Sequence, residues 1–162
     1  MSDPFSAELT SHELADALKA AASEAVASGS RTRLRFTRFE FERTPTARCS
    51  ALVELEWTPG ESVVGRADGI CSPLGDIRLA AEATVRAIET FARGTVKMEL
   101  IGVKTMRAFD ANVVMVSVLA HTDEGQRRLL GCHLSDDDVV RGAVIATLQA
   151  TNRVLGNAIA TR

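Results

Sequence analysis

Apolar residues recur along this chain with either a two-residue or a helical period, and the same succession of stretches occurs twice. Between Arg31 and Arg43 apolar and charged residues alternate, with Leu34 and Phe36 in one parity and Phe39 and Phe41 in the other. Such a slip predicts a β-bulge, because one extra residue turns every later side chain to the opposite face. A second strand slips in the same way: Val96, Met98 and Leu100 are in phase, then Ile101 and Val103 switch. The strands that follow are regular. Ala51, Val53, Leu55 and Trp57 oppose Glu54 and Glu56, and Val114, Val116 and Val118 oppose Ser117. Thr58-Pro59-Gly60-Glu61 and Thr122-Asp123-Glu124-Gly125 have turn composition and predict hairpins into short third strands at Val63–Ala67 and Arg128–Cys132. Gly65-Arg66-Ala67-Asp68-Gly69 lacks the glycine spacing that cradles phosphate and reads as a turn, with Gly131 in the matching place.

Each half closes with a helical period. Ile77, Ala81, Thr84, Val85, Ile88 and Phe91 form one stripe, flanked by Arg78, Glu82 and Arg86 at pairing distance, with Gly94 as the stop. Val140, Ala143, Val144, Thr147, Leu148, Thr151 and Leu155 form the other. Ser135 is its expected N-cap, and Asp136, Asp137 and Asp138 are expected to fill the first turn, where carboxylates complement the positive helix end. Ala83–Ile88 is echoed by Ala146–Thr151. Ahead of both halves, Thr10-Ser11-His12-Glu13 forms a capping box before a stripe of Leu14, Leu18, Ala21, Ala22 and Ala25. The expectation is an α+β fold in a single domain over 1–162: an N-terminal helix in 1–30, then tandem β-β-β-α repeats over 31–94 and 95–162. One antiparallel sheet would have the helices packed on one face, with the repeats related by a pseudo-twofold.

Composition narrows the function classes. A chain of 162 residues that is 46% hydrophobic can bury a core, and a net charge of −2 leaves no bulk footprint for nucleic acid or a membrane surface. Aromatics make up 4%, with no Tyr, which argues against a stacking platform for single strands. Cys49, Cys71 and Cys132 are odd in number and form no C-x-x-C, so neither a disulfide framework nor a zinc knuckle is indicated. The start lacks the basic and apolar regions of a signal peptide, and no apolar run reaches the ~20 residues that span a bilayer. A cytoplasmic setting and no membrane association are expected.

Three clusters invite chemistry. Cys132-His133 beside Ser135-Asp136 offers a nucleophile, a base and an acid, but adjacent strand residues point to opposite faces, so no catalytic residue is assigned. His121, His133 and the aspartates are suitable metal ligands without ligand spacing, so no metal and no cofactor are expected. Arg31, Arg33 and Arg35 project from one strand face, near Arg38, Arg43 and Arg48. Glu40, Glu42, Glu54 and Glu56 are available as cross-strand partners, so nucleic-acid binding is not expected.

The helix Asp138–Leu155, with its acidic opening, spaced alanines and Ala150-Thr151-Asn152 near its end, resembles the closing helix of the C-terminal regulatory domain of 2-isopropylmalate synthases. The duplicated β-β-β-α plan is similar as well. Gly69-Ile70-Cys71-Ser72-Pro73-Leu74-Gly75 approximates the Gly-x-Gly-Pro turn of that family, whose metal-dependent barrel has no counterpart in a chain of this length. That family's domain is regulatory, leucine-binding and dimerising, and the resemblance implies for this chain a small-ligand-binding or dimerising module. It directs attention to the turns before the two helices, at Asp68, Gly69, Cys71 and Ser72, and at Cys132, His133, Ser135 and Asp136. The leading expectation is a non-catalytic regulatory module that takes a small-molecule effector and forms a homodimer through Phe39, Phe41, Met98 and Met106. One alternative is an RNA- or ribosome-associated module using Arg31, Arg33 and Arg35; another is a small enzyme centred on Cys132 and His133.

Overall fold

The computed structural model describes residues 34–58 and 60–160. The expected helix in 1–30, and Arg31 and Arg33, lie outside the described residues. The elements run β1 (Arg35–Arg43), β2 (Arg48–Thr58), β3 (Glu61–Ile70), α1 (Pro73–Ala92), β4 (Lys97–Ala108), β5 (Ala111–Thr122), β6 (Gly125–Ser135) and α2 (Val139–Ala160). The class is α+β, as the periodicities predict. The strands form two antiparallel sheets, β1-β2-β3 and β4-β5-β6, instead of the single sheet expected. Each half closes on itself because its strands are joined by tight turns. Thr58 pairs with Glu61, Thr122 with Gly125, and Ala108 with Ala111. At the last turn Phe109 and Asp110 both hold left-handed backbone, φ 54° and 60°, which matches strand twist across a two-residue hairpin.

The predicted bulges are present. Register shifts between Phe36 and Arg38 and between Leu100 and Gly102. Ile101 is itself the inserted residue and is exposed, while Val103 resumes the inward set and packs against the core. The predicted turn at Gly65–Gly69 is instead the body of β3, with Gly65 opposite Val53 and Gly69 opposite Cys49. Those glycines serve packing. A Cβ on Gly65 would overlap the Ala83 carbonyl oxygen, and one on Gly131 would overlap that of Ala146, so each helix backbone rests directly on its third strand.

Ser72 caps α1 by accepting from Gly75 N at 2.9 Å, with Pro73 at the start, where its missing N–H costs nothing. The helix ends on Arg93 in the left-handed region, followed by Gly94. The cap of α2 is Asp138, whose Oδ1 accepts from Arg141 N at 2.9 Å, and not Ser135. Ser135 ends β6 and is buried, and Asp136 and Asp137 lie in the bend before the helix. The expected cap failed because β6 runs longer than its apolar pattern indicates.

The core lies between sheets and helices. α1 packs on β3 and β2, α2 on β6 and β5, and the helices touch each other. Leu55, Val53, Ile88, Val114, Val116, Val118 and Val144 are fully buried, each contributing about 1.5–3 kcal/mol. Buried Thr84, Thr147 and Thr151 donate to carbonyls one turn back, at 2.7–2.9 Å, so no cost of an unpaired hydroxyl arises. Phe39, Phe41 and Met98, expected to form a dimer surface, face this core: the bulge at Thr37 brings Phe39 and Phe41 to the side of Phe36, and Met98 lies opposite buried Ala120.

The outer faces differ. On β1-β2-β3 the register places Arg35 opposite Glu56 and Arg38 opposite Glu54, while Leu52 and Ser50 stand between Glu40 and Glu42 on β1 and Arg66 and Asp68 on β3. Arg35 approaches Glu56 at 3.9 Å and Arg38 pairs with Glu40. The hydrogen bond and charge of Glu40 raise the Arg38 guanidinium above its ordinary value. On β4-β5-β6 the rows are Met106–Val113–Leu134, Lys104–Met115–Cys132 and Gly102–Ser117–Leu130, and they are mostly apolar. Among the described residues, no helix is long and apolar enough to cross a membrane.

Candidate functional site

Both helices begin at one open cleft of about 650 Å³. The first half supplies its charged wall. Asp76, in the first turn of α1, is buried, and its Oδ1 accepts from Ser72 N at 3.2 Å. Its Oδ2 accepts from Arg43 Nη2 at 2.6 Å. Arg43 ends β1, where the bulge has set its parity toward the helices, and its guanidinium lies 5.6 Å from the centroid of the Phe41 ring. The Arg43 side chain is 63% exposed, so its charge reaches solvent and cleft alike. Ile77 adds an apolar patch.

The second half closes the opposite side. Thr105 comes from β4, Asn112 from β5, and Asp137, Val139 and Val140 from the approach to α2. A guanidinium paired with the Asp76 carboxylate, a second carboxylate at Asp137, the Thr105 hydroxyl, the Asn112 carboxamide and aliphatic side chains therefore line it together. In such a set Arg43 is the group that can receive an anionic part of a small molecule, and Val139 and Val140 can receive a short apolar part. A smaller hollow of about 330 Å³, at the far end of α1 beside Trp57, Thr90 and Arg93, draws on the first half alone.

At the edge of the cleft Cys49 and Cys71 form a disulfide, with their Cα atoms 5.2 Å apart. This corrects the reading that no disulfide is indicated. Counting cysteines and seeking C-x-x-C misses a pair 22 residues apart that β-sheet register creates. Cys49 pairs with Gly69 across the hairpin, and Cys71 N donates to Ala47 O at 2.9 Å. The Cys49 and Cys71 sulfurs and an Asp76 oxygen all lie within 4.8 Å of one another. With the sulfurs bonded to each other, they are not free to ligate a metal.

Of the eight residues singled out in the sequence, Cys71 and Ser72 line the cleft. Asp68 is exposed on the outer face of β3, and Gly69 lies beneath Leu79. Cys132 is exposed on the outer face of β6, whereas His133 turns to the helix side near Gly142. The two share no site, as strand alternation requires. Ser135 is buried and Asp136 exposed, and neither lines the cleft. Sequence reasoning missed Asp76, Thr105 and Asn112, and gave Arg43 to the basic cluster and Asp137 to the first turn of the second helix. Only Asp76 left a local signal, a carboxylate one turn after the Ser72-Pro73 start of α1. No family model and no curated protein matches the chain.

Proposed function

We propose that the chain is a non-catalytic regulatory module that binds a small organic acid between its two halves, in the manner its resemblance to 2-isopropylmalate synthase regulatory domains implies. The observation that carries this reading is the cleft, built jointly from the starts of both helices. Arg43, whose side chain is largely exposed, takes the ligand carboxylate, and Ile77, Val139 and Val140 take its aliphatic part. A duplicated β-β-β-α unit is consistent with the matched placement of Gly65 under Ala83 and Gly131 under Ala146. The test is thermal unfolding of the full chain with a panel of amino, oxo and hydroxy acids. A ligand at 100 times its Kd stabilises by about 2.7 kcal/mol. Stabilisation by a branched aliphatic acid, lost in Arg43→Met, supports the reading; a flat response across the panel overturns it.

The apolar outer face of β4-β5-β6 favours self-association. Leu130 is 66%, Leu134 52% and Met106 46% exposed. The face measures roughly 40 Å by 14 Å, and side-chain relief brings it to the order of the ~800 Å² that each partner contributes to a standard interface. A second copy is the occupant: an apolar face self-complementary about a twofold, with Lys97, Glu99 and Arg128 at its far rim. Leu134→Glu is expected to convert a dimer to a monomer in light scattering. A wild-type monomer at high concentration overturns the dimer, and protection of Cys132 from alkylation in that monomer assigns the face to another part of the chain.

A further inference from the structure

We infer that Cys49–Cys71 is a thiol–disulfide exchange site for a low-molecular-weight thiol or dithiol, with Cys71 the sulfur attacked and Cys49 the sulfur released. The two cysteines are unequal. Cys49 is 2% exposed, while Cys71 is half-buried and lines the open cleft. An incoming thiolate therefore reaches Cys71 first. The released sulfur already has a partner, since Cys49 Sγ lies 3.5 Å from Asp76 Oδ1 and, once protonated, donates to it. Cys71 immediately precedes the cap of α1. The positive helix start and Arg43, set against the nearby Asp76 carboxylate, act on the second step, in which Cys71 is the thiolate that leaves. The bond ties the first strand of the β2–β3 hairpin to the start of α1, so opening it loosens the charged wall of the cleft.

The exchange balances. A thiolate RS⁻ attacks Cys71 Sγ, an RS–S bond forms, and the bonding pair leaves with the Cys49 sulfur, which takes a proton from solvent. A second thiolate attacks the R-side sulfur, giving RSSR and the Cys71 thiolate. Two thiols are oxidised to one disulfide, and the protein disulfide is reduced to two thiols. A dithiol supplies both equivalents. The site does not depend on what the cleft binds.

The experiment is timed reduction of the full chain by dithiothreitol under native conditions, quenched by alkylation and read by peptide mass spectrometry. Cys132, an unpaired thiol, is alkylated after the quenched sample is denatured and so normalises peptide recovery. The reduction rate is expected to rise linearly with dithiol concentration. Amide exchange at Ser72 and Gly75 is expected to quicken on reduction while the protein stays folded. With oxidised glutathione, Cys71 in Cys49→Ser is expected to be glutathionylated about tenfold faster than Cys49 in Cys71→Ser. A rate that plateaus at the global unfolding rate marks a purely structural bond and overturns the proposal. So does equal glutathionylation of the two cysteines, or persistence of both thiols under oxidised glutathione. The kinetic arm needs no variant and decides the matter even if the substitutions do not fold.

Discussion

Gly65→Ala adds one methyl group at the closest contact between strand and helix. The new Cβ would overlap Ala83 O and crowd Ala87 N, both backbone atoms of α1 that no rotamer change can move aside. Relief requires α1 to lift from β3 as a unit. Overpacking of this kind costs about 1–3 kcal/mol, and a backbone obstacle places it at the upper end. Against that, replacing glycine by alanine removes unfolded-state entropy worth about 0.4–1 kcal/mol. The net loss is about 2 kcal/mol, or a fall in Tm of roughly 4–8 °C for a chain of this size. Gly131→Ala meets Ala146 O in the same way and should lose a similar amount. Gly102→Ala is the control, since a Cβ there finds nothing within 4 Å and its backbone is not left-handed. Urea denaturation of all three variants provides the comparison. If Gly65→Ala is as stable as Gly102→Ala, the close-contact reasoning is wrong.

Ser72→Ala removes the cap of α1 and should cost about 1 kcal/mol in chemical denaturation. Asp138→Ala should cost about the same through α2, whereas Asp137→Ala should stay within about 0.5 kcal/mol because it caps nothing. Arg43→Met removes the partner of a buried carboxylate; with the guanidinium largely solvated, the loss should be about 1 kcal/mol, read as a shift in denaturation midpoint. Converting Phe109-Asp110 to Asn-Gly relieves left-handed strain in two non-glycine residues and should raise stability by about 1 kcal/mol, measured by calorimetry.

The strand pattern was legible where side chains alternate against a core. Parity changes at Phe36–Phe39 and Leu100–Val103 located both bulges, and the stripe Ile77–Phe91 located α1. Features set by contacts between distant segments were not legible. Gly65 and Gly69 carry turn composition, yet their role depends on a helix backbone that lies above them. Cys49 and Cys71 are paired by register, which no local window contains. Phe39 and Phe41 were assigned to a surface although the bulge that the sequence revealed directs them inward, and Met98 although it shares the phase of Val96. The cleft was visible only as two helix starts, because Arg43, Thr105 and Asn112 reach it from three separate strands.

Among the described residues, two sheets instead of one leave β1, β3, β4 and β6 as edges in the hydrogen-bonding sense. An unpaired edge invites a foreign strand and, by repetition, fibril growth. Both inserted residues, Thr37 and Ile101, fall in edge strands, the first of each half. A kink there breaks the run of free amides and carbonyls that a docking strand needs, and the neighbouring Arg35, Arg38, Lys97 and Lys104 make the approach costlier. Deleting Thr37 or Ile101 would straighten the strand and so remove a safeguard against amyloid-like stacking.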